Sequence, residues 1–377
     1  MLKFIDELGV EELKGKHVLL RLDLNVPIID GHVADTFRLD RVIETIDFLR
    51  EKEAKVIIIS HIESGEKTLV PVWHYLNGFV PVDFCPTYFT PGAIDKLLNL
   101  KDKGVLMFEN LRVNPGEKAN DSEFAKKLSG MAEIYVNDAF AVSHRKHASI
   151  VGVPEFLPHY GGPLLKQEIE HLSKVFNPER PFLFILGGAK FDTKMPLIEK
   201  YLEKADKVFL VGALANNLYK ARGFEVGTSL VSLTKSSIKE IADNKKIVTP
   251  VDVTVTNSKG EVSFKKVGEI EKDECIVDVG PEAIDQLKKL LEESKTILWN
   301  GPLGNYELGF VDKTEALATM AADVTTSEVT TIVGGGDTIA SINKLGLNDK
   351  FTFISTGGGA MLDFLVNETL PGIDALE

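Results

Sequence analysis

The sequence predicts an α/β protein with two doubly wound, Rossmann-like domains, each built on a parallel sheet. Two observations carry that expectation: short β-branched runs recur with helix-period segments between them, and 377 residues exceed what one hydrophobic core organises. In the first half, strands are expected at 17–22, 55–60, 104–109 and 133–137. In the second half they are expected at 181–186, 207–211, 246–250, 296–300, 330–333 and 351–355. Between the halves, Leu165, Ile169, Leu172 and Phe176 recur at intervals of four, three and four, marking one apolar helix face. Gly161-Gly162-Pro163 precedes that helix, and Asn177-Pro178 with Pro181 stops it. Such a helix is either a connector on which two units pivot or an ordinary crossover, and the pattern alone favours neither.

Composition narrows the functional classes. With 44% hydrophobic and 26% charged residues the chain is an ordinary globular one. Its net charge of -13 repels polyanions at long range, so no nucleic-acid or membrane partner is expected, and any anion site must be local. Cys85 and Cys275 lie far apart, without a Cys or His at metal-ligand spacing. Neither a disulfide framework nor a zinc site is supported, and a reducing cytoplasm fits best. Residues 1–16 lack the apolar core of a signal peptide, and no run approaches the roughly 18 apolar residues that cross a bilayer.

The charged residues are unevenly placed. Six of the eight arginines fall within the first 150 residues, and all eight histidines precede the end of the mid-chain helix. Polar residues follow the expected carboxyl ends of the first-half strands: Arg21, Asp23 and Asn25, then His61, then Asn110 and Arg112, then Asn137, Asp138 and Arg145. Open α/β sheets bind ligands at that edge, and a guanidinium offers paired donors to a carboxylate or phosphate. A small molecule bearing both anions fits. The bland alternative pairs Arg21 with Asp23, or Arg112 with Glu109, as surface ion pairs of little consequence. Four strand ends sharing the feature weigh against it.

The second half carries glycine where the first carries arginine. Gly187-Gly188-Ala189-Lys190, with Lys194 four residues on, follows one strand; Gly334-Gly335-Gly336-Asp337-Thr338 and Thr356-Gly357-Gly358-Gly359-Ala360 follow two others. Glycine lets a backbone approach a phosphate closely, and the next helix start offers unpaired N–H groups and partial positive charge. Together the three turns describe a polyphosphate cradle. No segment matches the Walker A pattern, and the first half lacks a dinucleotide fingerprint, which disfavours a dehydrogenase. Asp337 fits an N-cap of its helix, a ligand for a phosphate-bound Mg²⁺, or both at once.

At this point the residues resemble the phosphoglycerate kinase family, in order through nearly the whole chain. Arg21-Leu22-Asp23-Leu24-Asn25-Val26-Pro27, Asp35-Thr36-Phe37-Arg38, Glu109-Asn110-Leu111-Arg112, and Val136 to Phe140 with His144-Arg145 are similar to its acid-site segments. Leu186 to Lys190, Trp299 to Gly304 with Glu307, Gly334 to Thr338, Ser355 to Ala360 and Leu370 to Ile373 are similar to its nucleotide-side and C-terminal segments.

The resemblance implies transfer of a phosphoryl group between 1,3-bisphosphoglycerate and MgADP, giving 3-phosphoglycerate and MgATP. It implies an acid-binding domain of residues 1–160 with 364–377, an interdomain helix 161–176 on which the domains close, and a nucleotide domain 177–363. By the same resemblance Arg21, Asp23, Asn25, Arg38, His61, Arg112 and Arg145 hold the acid. Gly187, Gly188, Lys190, Lys194, Gly212, Asn300, Glu307, Gly335, Gly336, Asp337 and Thr338 hold the nucleotide, and Asp337 also holds Mg²⁺. Arg38, Lys190, Gly336 and Gly358 are expected to stabilise the transferring group, in a cytoplasmic monomer. The chain departs from the family at Ile62-Glu63-Ser64-Gly65, where Leu-Gly-Arg-Pro is usual, at Asn305-Tyr306, and at Ile276. Those departures keep a second reading in view, a nucleotide-binding regulatory protein with a weakened acid site.

Overall fold

The computed structural model describes residues 2–65, 67–189, 191–232 and 238–377. The chain divides into two compact units, Met1–Glu170 with Asn367–Glu377, and His171–Val366.

In the first unit a six-stranded parallel sheet runs, edge to edge, Asp83–Cys85, Val105–Phe108, Lys55–Ile59, His17–Leu22, Ile134–Asp138 and His159–Gly161. His17–Leu22 pairs with Lys55–Ile59 on one side and with Ile134–Asp138 on the other. The chain leaves these central strands in opposite directions, so the crevice beyond their carboxyl ends is a topological switch point. Val18, Leu20, Leu22, Val56, Ile58 and Val136 are buried in one core with Leu39, Val42, Ile46 and Leu49. The last four recur at intervals of three, four and three along the Phe37–Glu51 helix, which therefore lays one face on the sheet.

The second unit repeats the plan. Its parallel sheet runs Ile247–Val248, Lys207–Leu210, Phe182–Leu186, Thr296–Asn300, Thr330–Gly334 and Phe353–Ser355. In chain order this is 3-2-1-4-5-6, the dinucleotide-domain arrangement, with its switch point between Phe182–Leu186 and Thr296–Asn300. Strand 246–250 is cut to two residues because Ile247–Val248 is an edge pairing with one neighbour only.

Three features were not expected. Asp252–Thr256, Val262–Lys266 and Cys275–Val279 form a small antiparallel sheet. Asp83–Cys85 and His159–Gly161 are three-residue edge strands, too short to carry a periodic signal, and Ile28–Ile29 with His32–Val33 makes a short hairpin.

The mid-chain helix spans Pro163–Ser173 and tightens into a 3₁₀ turn at Lys174–Phe176. The division between units falls inside it, so buried Leu165 belongs to the first unit and buried Leu172 to the second. Residues 367–377 return to the first unit, where Gly372 N–H donates to the Ser143 carbonyl (2.8 Å). Among the described residues no helix is long and apolar enough to cross a membrane.

Candidate active site

In the first unit the switch-point crevice is built on short polar braces. Ser60 Oγ donates to Leu22 O (2.7 Å) and accepts from Leu24 N–H (3.0 Å), fixing the turn that presents Asp23 and Asn25. Arg38, at the start of the Phe37–Glu51 helix, bridges that turn: Nη1 lies 2.8 Å from Asp23 Oδ2 and donates to Asn25 O at 2.8 Å. Asn110 Nδ2 holds the next loop by donating to Ile62 O (2.8 Å) and Lys67 O (2.7 Å). Glu109 holds the same loop, accepting from Thr68 Oγ1 (2.6 Å) and Leu69 N–H (2.7 Å). Glu109 is thus spent on the loop, and Arg112 pairs with Glu63 instead, Nη1 to Oε1 at 2.6 Å. Neither ion pair of the bland alternative forms, since Asp23 pairs with Arg38 and Arg21 is engaged elsewhere.

Arg21 lies wholly beneath this surface. Its Nε donates to Ser149 Oγ (2.9 Å), its Nη1 to Leu22 O, and its Nη2 to His61 Nδ1 (3.3 Å). Burial drives the Arg21 pKa down, and buried Glu117, which holds Ser149 through both carboxylate oxygens, opposes that. His61 is driven far below its ordinary value by burial and then by Arg21, Arg112 and Arg38, so its imidazole is neutral. An arginine can only donate, so Nδ1 of His61 accepts and Nε2 carries the proton as a donor. Arg145 is exposed after the Phe140–Val142 turn. Asn137 and Asp138 serve the fold: Asn137 Nδ2 donates to Ser143 Oγ (3.1 Å), and Asp138 accepts from Thr45 Oγ1 (2.6 Å) and Leu165 N–H (2.9 Å). Burial raises the Asp138 carboxyl to about 6.

In the second unit the turn after Phe182–Leu186 meets the Gly301-Pro302 turn after Thr296–Asn300 across the switch point. A Cβ at Gly187 would stand 2.3 Å from the Pro302 carbonyl, so this glycine is required by the close approach of two protein turns. Lys194, in the first turn of the Phe191–Lys204 helix, passes over Gly188 and donates from Nζ to Asn300 Oδ1 (3.3 Å). Burial lowers its ammonium to about 8. Lys190 lies outside the described residues.

The Gly336–Lys344 helix has Gly335, at φ 101°, as its N-cap, which corrects the N-cap reading of Asp337. Its first bonded N–H is that of Ile339, to Gly335 O (2.9 Å), which leaves the N–H groups of Gly336, Asp337 and Thr338 at the open helix end. Thr338 has a buried hydroxyl, so only its backbone faces that end. The Asp337 carboxyl is raised by partial burial and by Glu307. A Cβ at Gly336 or Gly358 would meet open space.

Beside these turns lies a cavity of about 370 Å³, lined by Gly188, Gly212, Tyr219, Ile276, Leu303 and Glu307 among others. Asn305 Oδ1 caps the Tyr306–Leu308 turn that carries Glu307, accepting from Leu308 N–H (3.3 Å). Ile276 N–H donates to Ser229 Oγ (2.8 Å) at the wall. Sequence reasoning singled out Ile276 on one wall of this site and missed the rest of that wall and the apolar lining. The Cys275–Val279 strand supplies a whole wall, including Asp278, whose carboxyl burial raises to about 7. Leu230 and Val253 add apolar lining, and the alternation of Val253 and Val255 was the available signal.

Comparison with known proteins gives one consistent result. The family model described as "Phosphoglycerate kinase" matches residues 5–368. A curated phosphoglycerate kinase of Dictyoglomus turgidum is 39% identical over 393 aligned positions, covering 100% of this chain and 99% of the relative. That of Fervidobacterium nodosum is 39% identical, covering 97% and 96%. Among solved structures, the phosphoglycerate kinase of Coxiella burnetii superposes with a TM-score of 0.84 at 34% identity, covering 100% of this chain and 99% of its own. That of Pyrococcus horikoshii gives 0.87 at 32%, covering 100% and 98%. With the family match, the full-length relatives and the shared two-unit architecture in agreement, the chain belongs to the phosphoglycerate kinase family.

Proposed function

We propose that the protein catalyses reversible phosphoryl transfer between 1,3-bisphosphoglycerate and MgADP, giving 3-phosphoglycerate and MgATP, as a glycolytic or gluconeogenic kinase with a carboxyl acceptor. The observation that carries this reading is a division of labour. One unit offers an arginine-lined crevice at its switch point, and the other offers a glycine-lined cleft with an adjoining apolar cavity at its own. Phosphoryl transfer asks for positioning and charge neutralisation more than covalent chemistry, and these are the groups that provide it.

In this reading Arg112 and Arg145 take the phosphate of the acid, while Asp23, Asn25 and the Nε2–H of His61 orient its hydroxyl and carboxylate. Arg21 acts from below, setting the His61 tautomer. Arg38 and Lys190 neutralise the transferring group together with the helix starts at Gly336 and Gly358. Lys194, Gly187, Gly188, Gly212, Asn300, Gly335 and Thr338 surround the nucleotide phosphates, and Glu307 reaches the ribose. No side-chain base is needed, because the acceptor is already a carboxylate.

Asp337 fits a phosphate-bound Mg²⁺: its carboxylate stands at an open helix end, where a metal neutralises the repulsion from Glu307. Among the described residues no group of three His, Cys, Asp or Glu is placed to hold a metal unaided, so phosphate and water must supply most of its ligands. Bound there, Mg²⁺ supplies charge neutralisation across the phosphates. The acid and nucleotide sites are assigned to different units, so the reaction requires hinge closure about the mid-chain helix, in a cytoplasmic monomer.

A coupled assay with 3-phosphoglycerate, MgATP and a dehydrogenase reporter tests the reading. Turnover is expected, and nucleotide binding without turnover would instead favour a regulatory protein on this fold.

A further inference from the structure

The departure at 62–65 is a loop with two jobs. Ser64 Oγ accepts from Ile28 N–H (2.8 Å), tying the loop to the Ile28–Ile29/His32–Val33 hairpin. Asn25 Oδ1 accepts from Glu63 N–H (2.9 Å), which fixes the backbone of Glu63 beside the crevice. The Glu63 carboxylate is then delivered to two cations. Its Oε1 lies 2.6 Å from Arg112 Nη1 and 3.0 Å from Lys118 Nζ. The three partners differ in burial. The Arg112 side chain is 11% exposed, whereas Glu63 and Lys118 are 51% and 55% exposed. Arg112 is therefore held in place by the protein, and the other two are free to rearrange at the surface.

We propose that Glu63 is an internal competitor of the phosphorylated acid, occupying Arg112 when the crevice is empty, and that Lys118 receives the displaced carboxylate when substrate phosphate takes the arginine. This rests on the reading of the crevice as an acid site. A phosphate outcompetes one carboxylate at Arg112 because it brings more charge and a matching fork of acceptors. The displaced Glu63 keeps a partner because Oε1 is already within hydrogen-bond distance of Lys118 Nζ. The carboxylate that moves is half exposed and keeps a cationic partner throughout, so the exchange has a small net cost and the device tunes affinity without blocking the site. It also makes Glu63 and Lys118 specificity residues of opposite sign: the first selects against weak monoanions at Arg112, and the second lowers the cost of admitting a dianion.

Calorimetric titration of 3-phosphoglycerate, with steady-state kinetics in parallel, decides it. Glu63→Gln should lower the Kd and KM for 3-phosphoglycerate by roughly three- to tenfold while leaving the KM for MgATP unchanged. Lys118→Ala should raise the Kd for the acid in the native background and have little effect in the Glu63→Gln background. An unchanged or raised Kd in Glu63→Gln, reproduced in Glu63→Ala, overturns the competitor role. Equal effects of Lys118→Ala in both backgrounds would mean that Lys118 contacts the acid directly, which overturns the relay. The unsubstituted protein is assayed alongside: turnover there with no Glu63 effect sinks this proposal alone, whereas its failure to turn over 3-phosphoglycerate sinks the assignment of function.

Discussion

At Lys194, burial and ligand binding pull in opposite directions. Burial disfavours the ammonium and brings it to about 8, whereas a bound phosphate favours it. Below pH 8 the side chain is a cation ready for phosphate; as pH rises through 8 it loses its proton and the attraction with it. Affinity for ADP should therefore weaken between pH 7 and 9, by up to about tenfold. Asp278, raised to about 7, also gains negative charge over part of this range. Lys194→Arg separates the two, because a guanidinium stays charged and should remove the upper part of the slope. Fluorescence or calorimetric titration across the range is the measurement, and a slope as steep in the arginine variant as in the native protein would refute the role of Lys194. Residue identities at this scale were legible in the sequence as types and places, not as partners. Arg21 read as a ligand-facing cation but lies under His61, because Ser149, which receives it and is itself held by Glu117, sits 128 residues further along the chain. Glu63 read only as part of a departure from the family pattern, and only the structure pairs it with Arg112 and Lys118.

The glycine turns are elements whose members have different reasons to be glycine. Gly187 is fixed by the Pro302 carbonyl, a backbone atom that cannot move without parting the two central strand ends. Gly336 has no such neighbour, and the space a side chain would enter there is the space the proposed function gives to a phosphate at the helix start. Gly187→Ala should cost about 1–3 kcal/mol of stability through overpacking. Gly336→Ala should melt at or slightly above the native temperature, since alanine is the better helix former, while losing affinity for MgADP. Thermal melts with nucleotide titrations test the pair. A destabilised Gly336→Ala with native affinity would return that glycine to a purely structural role. The sequence displayed the turns clearly, because glycine after a β-branched run is a local signal. It did not display the antiparallel sheet, whose strands Asp252–Thr256 and Cys275–Val279 meet across a long sequence gap and form a cavity wall only once paired.

For the whole molecule, the long parallel strands of both units were legible because buried strands between helices read as separate apolar runs, whereas the three-residue edge strands Asp83–Cys85 and His159–Gly161 were not. Which segments pair with which, and hence the location of the two switch points, required the structure. Under the proposed function, the division between units within the Pro163–Ser173 helix would have a mechanical consequence. Reacting atoms must come within about 3–3.5 Å for in-line transfer, and the proposed acid and nucleotide sites belong to different units. In the proposed reaction each ligand alone would satisfy only its own unit, so the favourable contacts that offset the entropy of ordering two units would exist only when both are bound. The radius of gyration from small-angle X-ray scattering should therefore fall when 3-phosphoglycerate and MgADP saturate the protein together, and by much less with either alone. Identical values in all four states would exclude closure as part of the cycle. Full compaction with nucleotide alone would place the closing signal entirely in the second unit, and the acid would then bind to a preformed closed state instead of completing it.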